Sequence, residues 1–135
     1  MAIVTVSPKF QVVIPRKIWL EYFAAGPRAS QFAAVIEDVV QLLVPTIVLL
    51  EVTRRVMQLR DEDAALQIAA MLRQGQIVPL DSGLALSAAH LGVTHKLPLV
   101  DSIDYATARQ FNATVWMMDA DFSGLPGVQY IAKRP

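Results

Sequence analysis

The sequence predicts an α/β fold in which a mainly parallel sheet is covered on both sides by helices. Three observations point to it. Short runs rich in Val, Ile and Leu recur along the chain, bounded by Pro, Gly or Asp, and read as buried strands. The longer stretches between them place apolar residues at helical spacing. Strands alternating with helices need crossover connections, and these lead to parallel sheets with helices on the faces. The 135 residues are 54% apolar and 18% charged, which excludes disorder and allows a real core.

Residues 2–14 alternate through Ile3, Val4 and Val6 to Phe10, Val12, Val13 and Ile14, with Ser7-Pro8-Lys9 between. They predict two short strands, or a turn and one buried strand. Pro15 ends this run and suits the start of a helix carrying Trp19, Leu20, Tyr22 and Phe23, which Gly26-Pro27 stops. Ser30 is placed to cap a helix through Phe32, Val35 and Ile36. Leu42-Leu43-Val44 reads as a strand. Pro45-Thr46 then opens a helix with Val48, Leu49, Val52, Val56 and Leu59 facing inward.

Asp61-Glu62-Asp63 begins the next helix, with its acids at the positive helix end. Ala64, Ala65, Ile68, Met71 and Leu72 form its apolar stripe, and Gly75 closes it. Gln76–Leu80 is a strand weakened by Pro79. Asp81-Ser82 caps a helix with Leu84, Leu86, Ala88, Ala89 and Leu91, stopped by Gly92. Leu99–Phe111 is a helix entered from an apolar loop, with Asp101 at or just before its first position. Thr114–Met118 and Val128–Ile131 are the last strands, separated by a turn at Asp119-Ala-Asp121-Phe-Ser-Gly. No repeat, linker or low-complexity segment divides the chain, so one domain is expected over residues 1–135.

Net charge is zero, which removes a global basic footprint for nucleic acid. There is no Cys, hence no disulfide and no thiolate metal site, in keeping with a cytoplasmic protein. His90 and His95 are five apart, the wrong spacing for a zinc pair on one helix face, and are expected on the surface. The greasiest run, Val39–Leu50, is too short to span a bilayer. The first residues also lack a signal-peptide pattern.

The chemistry lies in isolated acids. Glu51 interrupts Ile47-Val48-Leu49-Leu50 and Val52, so its carboxylate is expected to be partly buried and to need a partner. Arg54 or Arg55 on the same helix is one choice and a metal ion is another. Asp119 and Asp121 follow a buried strand, where an open α/β sheet has its ligand crevice, although Asp also suits an ordinary turn. Asp101 either caps its helix or faces that crevice, and Asp104 shares its helix face. Carboxylates gathered from three segments need a cation to neutralise them, and hard oxygen ligands select Mg²⁺ or Mn²⁺. Such an ion can activate water and stabilise an in-line phosphoryl displacement.

Four stretches resemble a PIN domain: Trp19-Leu-Glu-Tyr-Phe23, Val44-Pro-Thr-Ile-Val-Leu-Leu-Glu-Val52, Leu97-Pro-Leu-Val-Asp-Ser-Ile103 running on through Tyr105-Ala-Thr-Ala108, and Asp119-Ala-Asp-Phe122. The group most similar is the VapC-type toxin ribonucleases of bacterial toxin–antitoxin pairs, over about residues 19–132. The resemblance implies a three-layer α/β/α sandwich and an endoribonuclease dependent on Mg²⁺ or Mn²⁺. It implies catalytic and metal-binding roles for Glu51, Asp101 and Asp119, with Asp121 as a helper ligand. It also implies an RNA substrate, a cognate antitoxin and a homodimer.

The chain departs from that pattern at its front. The family's first strand ends in an Asp four residues before the Trp, where this chain has Pro15. Proline offers no side-chain oxygen, so an impaired metal site is expected, with Asp104 as the candidate compensating acid. Met117 stands where a hydroxyl residue is usual. Residues Thr5–Ile18 resemble the start of an AbrB-like antitoxin, so residues 1–18 are expected to replace the usual first strand. Two other functions stay open. One is a catalytically inactive toxin-like module that dimerises or binds an antitoxin through the aromatic and apolar residues near Trp19–Phe23. The other is a DNA-binding regulator using Lys9, Arg16 and Lys17, which the neutral net charge disfavours.

Overall fold

A computed structural model describes residues 11–132. Its centre is a five-stranded sheet, and every pairing between neighbours is parallel. The strands are β1 (Val12–Val13), β2 (Leu42–Pro45), β3 (Gln76–Val78), β4 (Thr114–Met117) and β5 (Val128–Tyr130), in the spatial order β3-β2-β1-β4-β5. The helices are α1 (Arg16–Phe23), α2 (Ala29–Ile36), α3 (Thr46–Leu59), α4 (Glu62–Leu72), α5 (Ser82–His95) and α6 (Leu99–Gln110).

Strand alternation divides the core in two. Val12, Leu42 and Val44 point into a cluster with α1–α4, centred on Ile18, Trp19, Phe32, Val48, Val52 and Leu72. Val13, Leu43, Val115 and Met117 point the other way, against Leu84 and Ala88 of α5 and Ile103 and Ala106 of α6. Helices therefore cover both faces, as the α/β/α expectation requires. Trp19 belongs to this core at 2% exposure, so it cannot anchor a partner. Phe23, only partly buried, stacks on it, and Tyr22, also partly buried, packs edge-on against Phe23.

The antitoxin-like segment predicted over residues 1–18 lies outside the described residues as far as residue 10. Its later part enters the fold: Val12 and Val13 form the central strand, pairing β2 on one side and β4 on the other.

Several local expectations are corrected. Ser30 does not cap α2, because the helix begins at Ala29 with Arg28 before it. Leu59, Met71 and Leu86 lie on solvent faces, at 63%, 49% and 73% exposure. Gly92 does not stop α5, which continues to His95 and ends where Lys96 turns left-handed. A Cβ on Gly92 would collide with the Ser102 Oγ and come 3.0 Å from the Ser102 Cβ, so this glycine lets α5 and α6 pack closely. Asp81 caps as predicted, accepting from the Leu84 N–H, and Asp61, foreseen only as an acid at the helix start, caps α4 by accepting from the Ala64 N–H, each at 2.8 Å. Among the described residues, no helix is long and apolar enough to cross a membrane.

Candidate functional site

The strand order reverses direction between β1 and β4. The chain first moves outward from β1 through β2 to β3, then returns to the other side of β1. Crossover segments leave a crevice at such a switch point, beyond the carboxyl ends of the strands. A cleft of about 420 Å³ lies there. Pro15, Arg16 and Lys17 line it from the end of β1, and Trp116–Asp119 line it from β4. Glu51 on α3 and Asp101 and Asp104 on α6 complete its acidic wall.

The cleft thus gathers Glu51, Asp101 and Asp119 from three segments, as the sequence predicts, together with Asp104. Asp121 does not line it. The Asp121 N–H instead donates to the Asp119 Oδ1 at 2.9 Å, capping the short 3-10 turn Ala120–Phe122, so the turn chemistry foreseen for this pair is present. Asp101 lies in the first turn of α6 rather than before it, and no side chain caps that helix.

Helix α6 is buried on all sides from Ser102 to Ala108. Its buried hydroxyls satisfy themselves locally. The Ser102 Oγ donates to the Pro98 carbonyl at 2.8 Å, and the Thr107 Oγ1 to the Ile103 carbonyl at 2.7 Å. Asp104 differs. It is 2% exposed, and its Oδ1 has no hydrogen-bond partner among the described residues. Burial, reinforced by the Glu51 and Asp101 carboxylates, pushes its pKa well above the usual carboxylate range, against the opposing pull of Arg16.

Glu51 finds neither of the partners foreseen on its own helix. Its Oε2 accepts from the Arg16 Nη1 at 3.2 Å, across from α1. Its Oε1 is buried and unpartnered among the described residues. Burial raises the Glu51 pKa, Arg16 lowers it, and Asp101 raises it again. Asp101 is likewise raised by burial and by Asp119, with Lys17 and Arg16 acting in the opposite direction.

The donor set fits a hard divalent cation in chemistry, because two buried carboxylate oxygens have no partner among the described residues. It is not gathered into a ready ligand shell: among the described residues, no group of three or more acids or histidines is close enough to hold a metal ion. Arg16 and Lys17 were noticed in the sequence only as basic residues in an antitoxin-like segment. Their position directly after Pro15, where an acid is expected, was the available signal that they face the cleft. His90 is exposed. His95 packs edge-on against Tyr105 at 5.7 Å and stands outside the cleft.

The family described as PIN domain matches residues 12–128. Comparison with curated protein sequences gives no match. Among solved structures, the chain is similar to a toxin–antitoxin complex from Klebsiella pneumoniae, with a TM-score of 0.74 and 23% identity over 88% of this chain and 96% of that one. It is also similar to the sarcin–ricin-loop-cleaving toxin VapC20 of Mycobacterium tuberculosis, at TM-score 0.68 and 19% identity, covering 93% of this chain and 100% of that chain. A DNA-bound VapBC complex from Salmonella typhimurium gives 0.66 and 10%, covering 90% of this chain and 97% of that chain. At these identities the structures speak for a shared fold. None of these matches supports the antitoxin-like likeness of residues 1–18.

Proposed function

The chain belongs to the PIN-domain family, and from that premise we propose that it is a toxin-type endoribonuclease with an impaired metal site. The observation that carries this function is the meeting of Glu51, Asp101, Asp104 and Asp119 in one cleft at the switch point of the sheet. In this proposal Glu51, Asp101 and Asp119 hold Mg²⁺ or Mn²⁺. Asp104 supplies charge in place of the acid missing at Pro15, and Asp121 orients Asp119 through its backbone. A bound ion would activate water and stabilise the charge that develops on a cleaved phosphodiester. The chain's own residues position that chemistry: α6 fixes Asp101 and Asp104, and Lys17 at the mouth attracts the RNA backbone. The domain acts as one unit, with a cognate antitoxin and a second copy of the chain as partners. The first two matched structures, a toxin–antitoxin complex and an RNA-cleaving toxin, support the proposal.

Cleavage of a structured RNA in Mn²⁺ tests it, using the native chain, Pro15→Asp and Glu51→Gln. Pro15→Asp is expected to cleave on the order of 10- to 100-fold faster than the native chain, the reverse of the usual loss when a group supporting a metal site is removed. Glu51→Gln is expected to be silent. Silence of all three proteins, or cleavage unaffected by Glu51→Gln, overturns the proposal.

One observation favours a second function, an inactive module that captures an antitoxin. The Arg16–Glu51 ion pair already neutralises part of the acidic wall. A chain that elutes as a monomer and ignores candidate antitoxins in size-exclusion runs would remove that alternative.

A further inference from the structure

The acidic cleft contains its own cations. Arg16 and Lys17 open α1 directly after Pro15, so the position that lacks an acid is followed at once by two positive charges. Arg16 opposes the raised pKa values of Glu51, Asp101 and Asp104 alike. Lys17 faces Asp101. Three carboxylates, Glu51, Asp101 and Asp119, stand against these two cations, and buried Asp104 lines the same cleft.

We propose that Arg16 is an internal competitor for the divalent cation: its guanidinium pairs with Glu51, and the ion binds in the conformation in which that pair is open. The proposal rests on the metal-binding part of the nuclease function and adds a residue to it. The two partners differ in freedom. The Glu51 side chain is 12% exposed, on a helix whose Val48 and Val52 are fully buried, so it stays in place. The Arg16 side chain is 52% exposed at the first position of α1 and can rotate into solvent. The arginine also leaves the site unsatisfied. Among the described residues the Glu51 Oε1 has no partner, and neither does the Oδ1 of Asp104, which is 2% exposed and lines the same cleft. A single guanidinium on the Glu51 Oε2 thus offsets charge without meeting the coordination demand of the buried oxygens. Opening the pair frees Glu51 and removes a positive charge from the cleft, and both changes favour a divalent ion.

Mn²⁺ binding to the full chain tests this without RNA, by following the paramagnetic resonance signal of the free aquated ion. Arg16→Met is expected to tighten Mn²⁺ binding about tenfold, the scale of one nearby charge largely screened by water. Arg16→Lys keeps the charge and is expected to stay near the native affinity. In a Glu51→Gln background, Arg16→Met is expected to gain much less, because the pair no longer exists. Equal affinity of the native chain and Arg16→Met, including no binding by either, overturns the proposal. A gain just as large in the Glu51→Gln background also overturns it, since it would show a general charge effect rather than competition at Glu51. Circular dichroism checks each fold, and Arg16→Gln replaces Arg16→Met if the latter unfolds. Tightened Mn²⁺ binding without RNA cleavage in any variant would end the nuclease function and leave Arg16 as the competitor.

Discussion

Asp104 shows how much one carboxyl can do at a site that its helix buries. It lies between the hydroxyl residues Ser102 and Thr107, which close hydrogen bonds to their own helix, while one of its oxygens has no partner among the described residues. Its pKa is raised by burial first, so the folded protein binds its proton more tightly than the unfolded chain does. That contribution to stability is complete at acid pH and is lost as pH rises through the raised folded value. Asp104→Asn is therefore expected to be more stable than the native chain at pH 8, by about 1–3 kcal/mol without added divalent ions. The two should converge below about pH 3.9, near the unfolded carboxyl value. Urea titrations at several pH values check this, and a constant difference would count against it. Glu51, Asp101 and Asp119 were legible in the sequence because acids beside apolar runs are conspicuous. The partner of Glu51 was not, since helical spacing points only to neighbours on α3 and Arg16 arrives from α1.

At the level of elements, strands and helices were legible from periodicity, and most errors fell at their ends. Asp81 was found because a cap is a local signal, while the Asp61 cap was legible only as an acid at the helix start. Gly92 was misread because a glycine that stops a helix and one that admits a neighbouring helix look alike in one sequence. The structure separates them. Gly92→Ala would set its Cβ 3.0 Å from the Ser102 Cβ, whereas Gly83→Ala would meet only the Asp81 Oδ1 at 3.6 Å. Gly92→Ala is expected to destabilise by about 1–3 kcal/mol through overpacking. Gly83→Ala is expected to stabilise by up to about 1 kcal/mol through helix propensity. Thermal melts of the two variants should move in opposite directions. Leu59 was assigned inward and Met71 to the apolar stripe because apolar residues continue past the face a helix buries.

For the whole molecule, alternating strands and helices implied a parallel sheet, and every observed pairing is parallel. The switch point between β1 and β4 was not legible, because strand order depends on contacts far apart in sequence. It is nonetheless what brings Pro15 and Asp119 to one cleft. The central strand depends on two residues, Val12 and Val13, which pair on both sides. Val13 is fully buried, so Val13→Ala is expected to cost roughly 1–3 kcal/mol. The amides of β2 and β4 should lose hydrogen-exchange protection together. Protection lost on one side of β1 alone would show that the sheet opens in halves.

The pairing of Val12 with Thr114 also orders events during synthesis. The first described strand waits for one of the last, because the floor of the cleft is closed only when β4 reaches β1. A nascent chain that has not yet released Thr114–Asp119 from the ribosome has β1 and β2 to pair but no acidic cleft. Whatever that cleft does, it begins to do it only after Asp119 has left the ribosome.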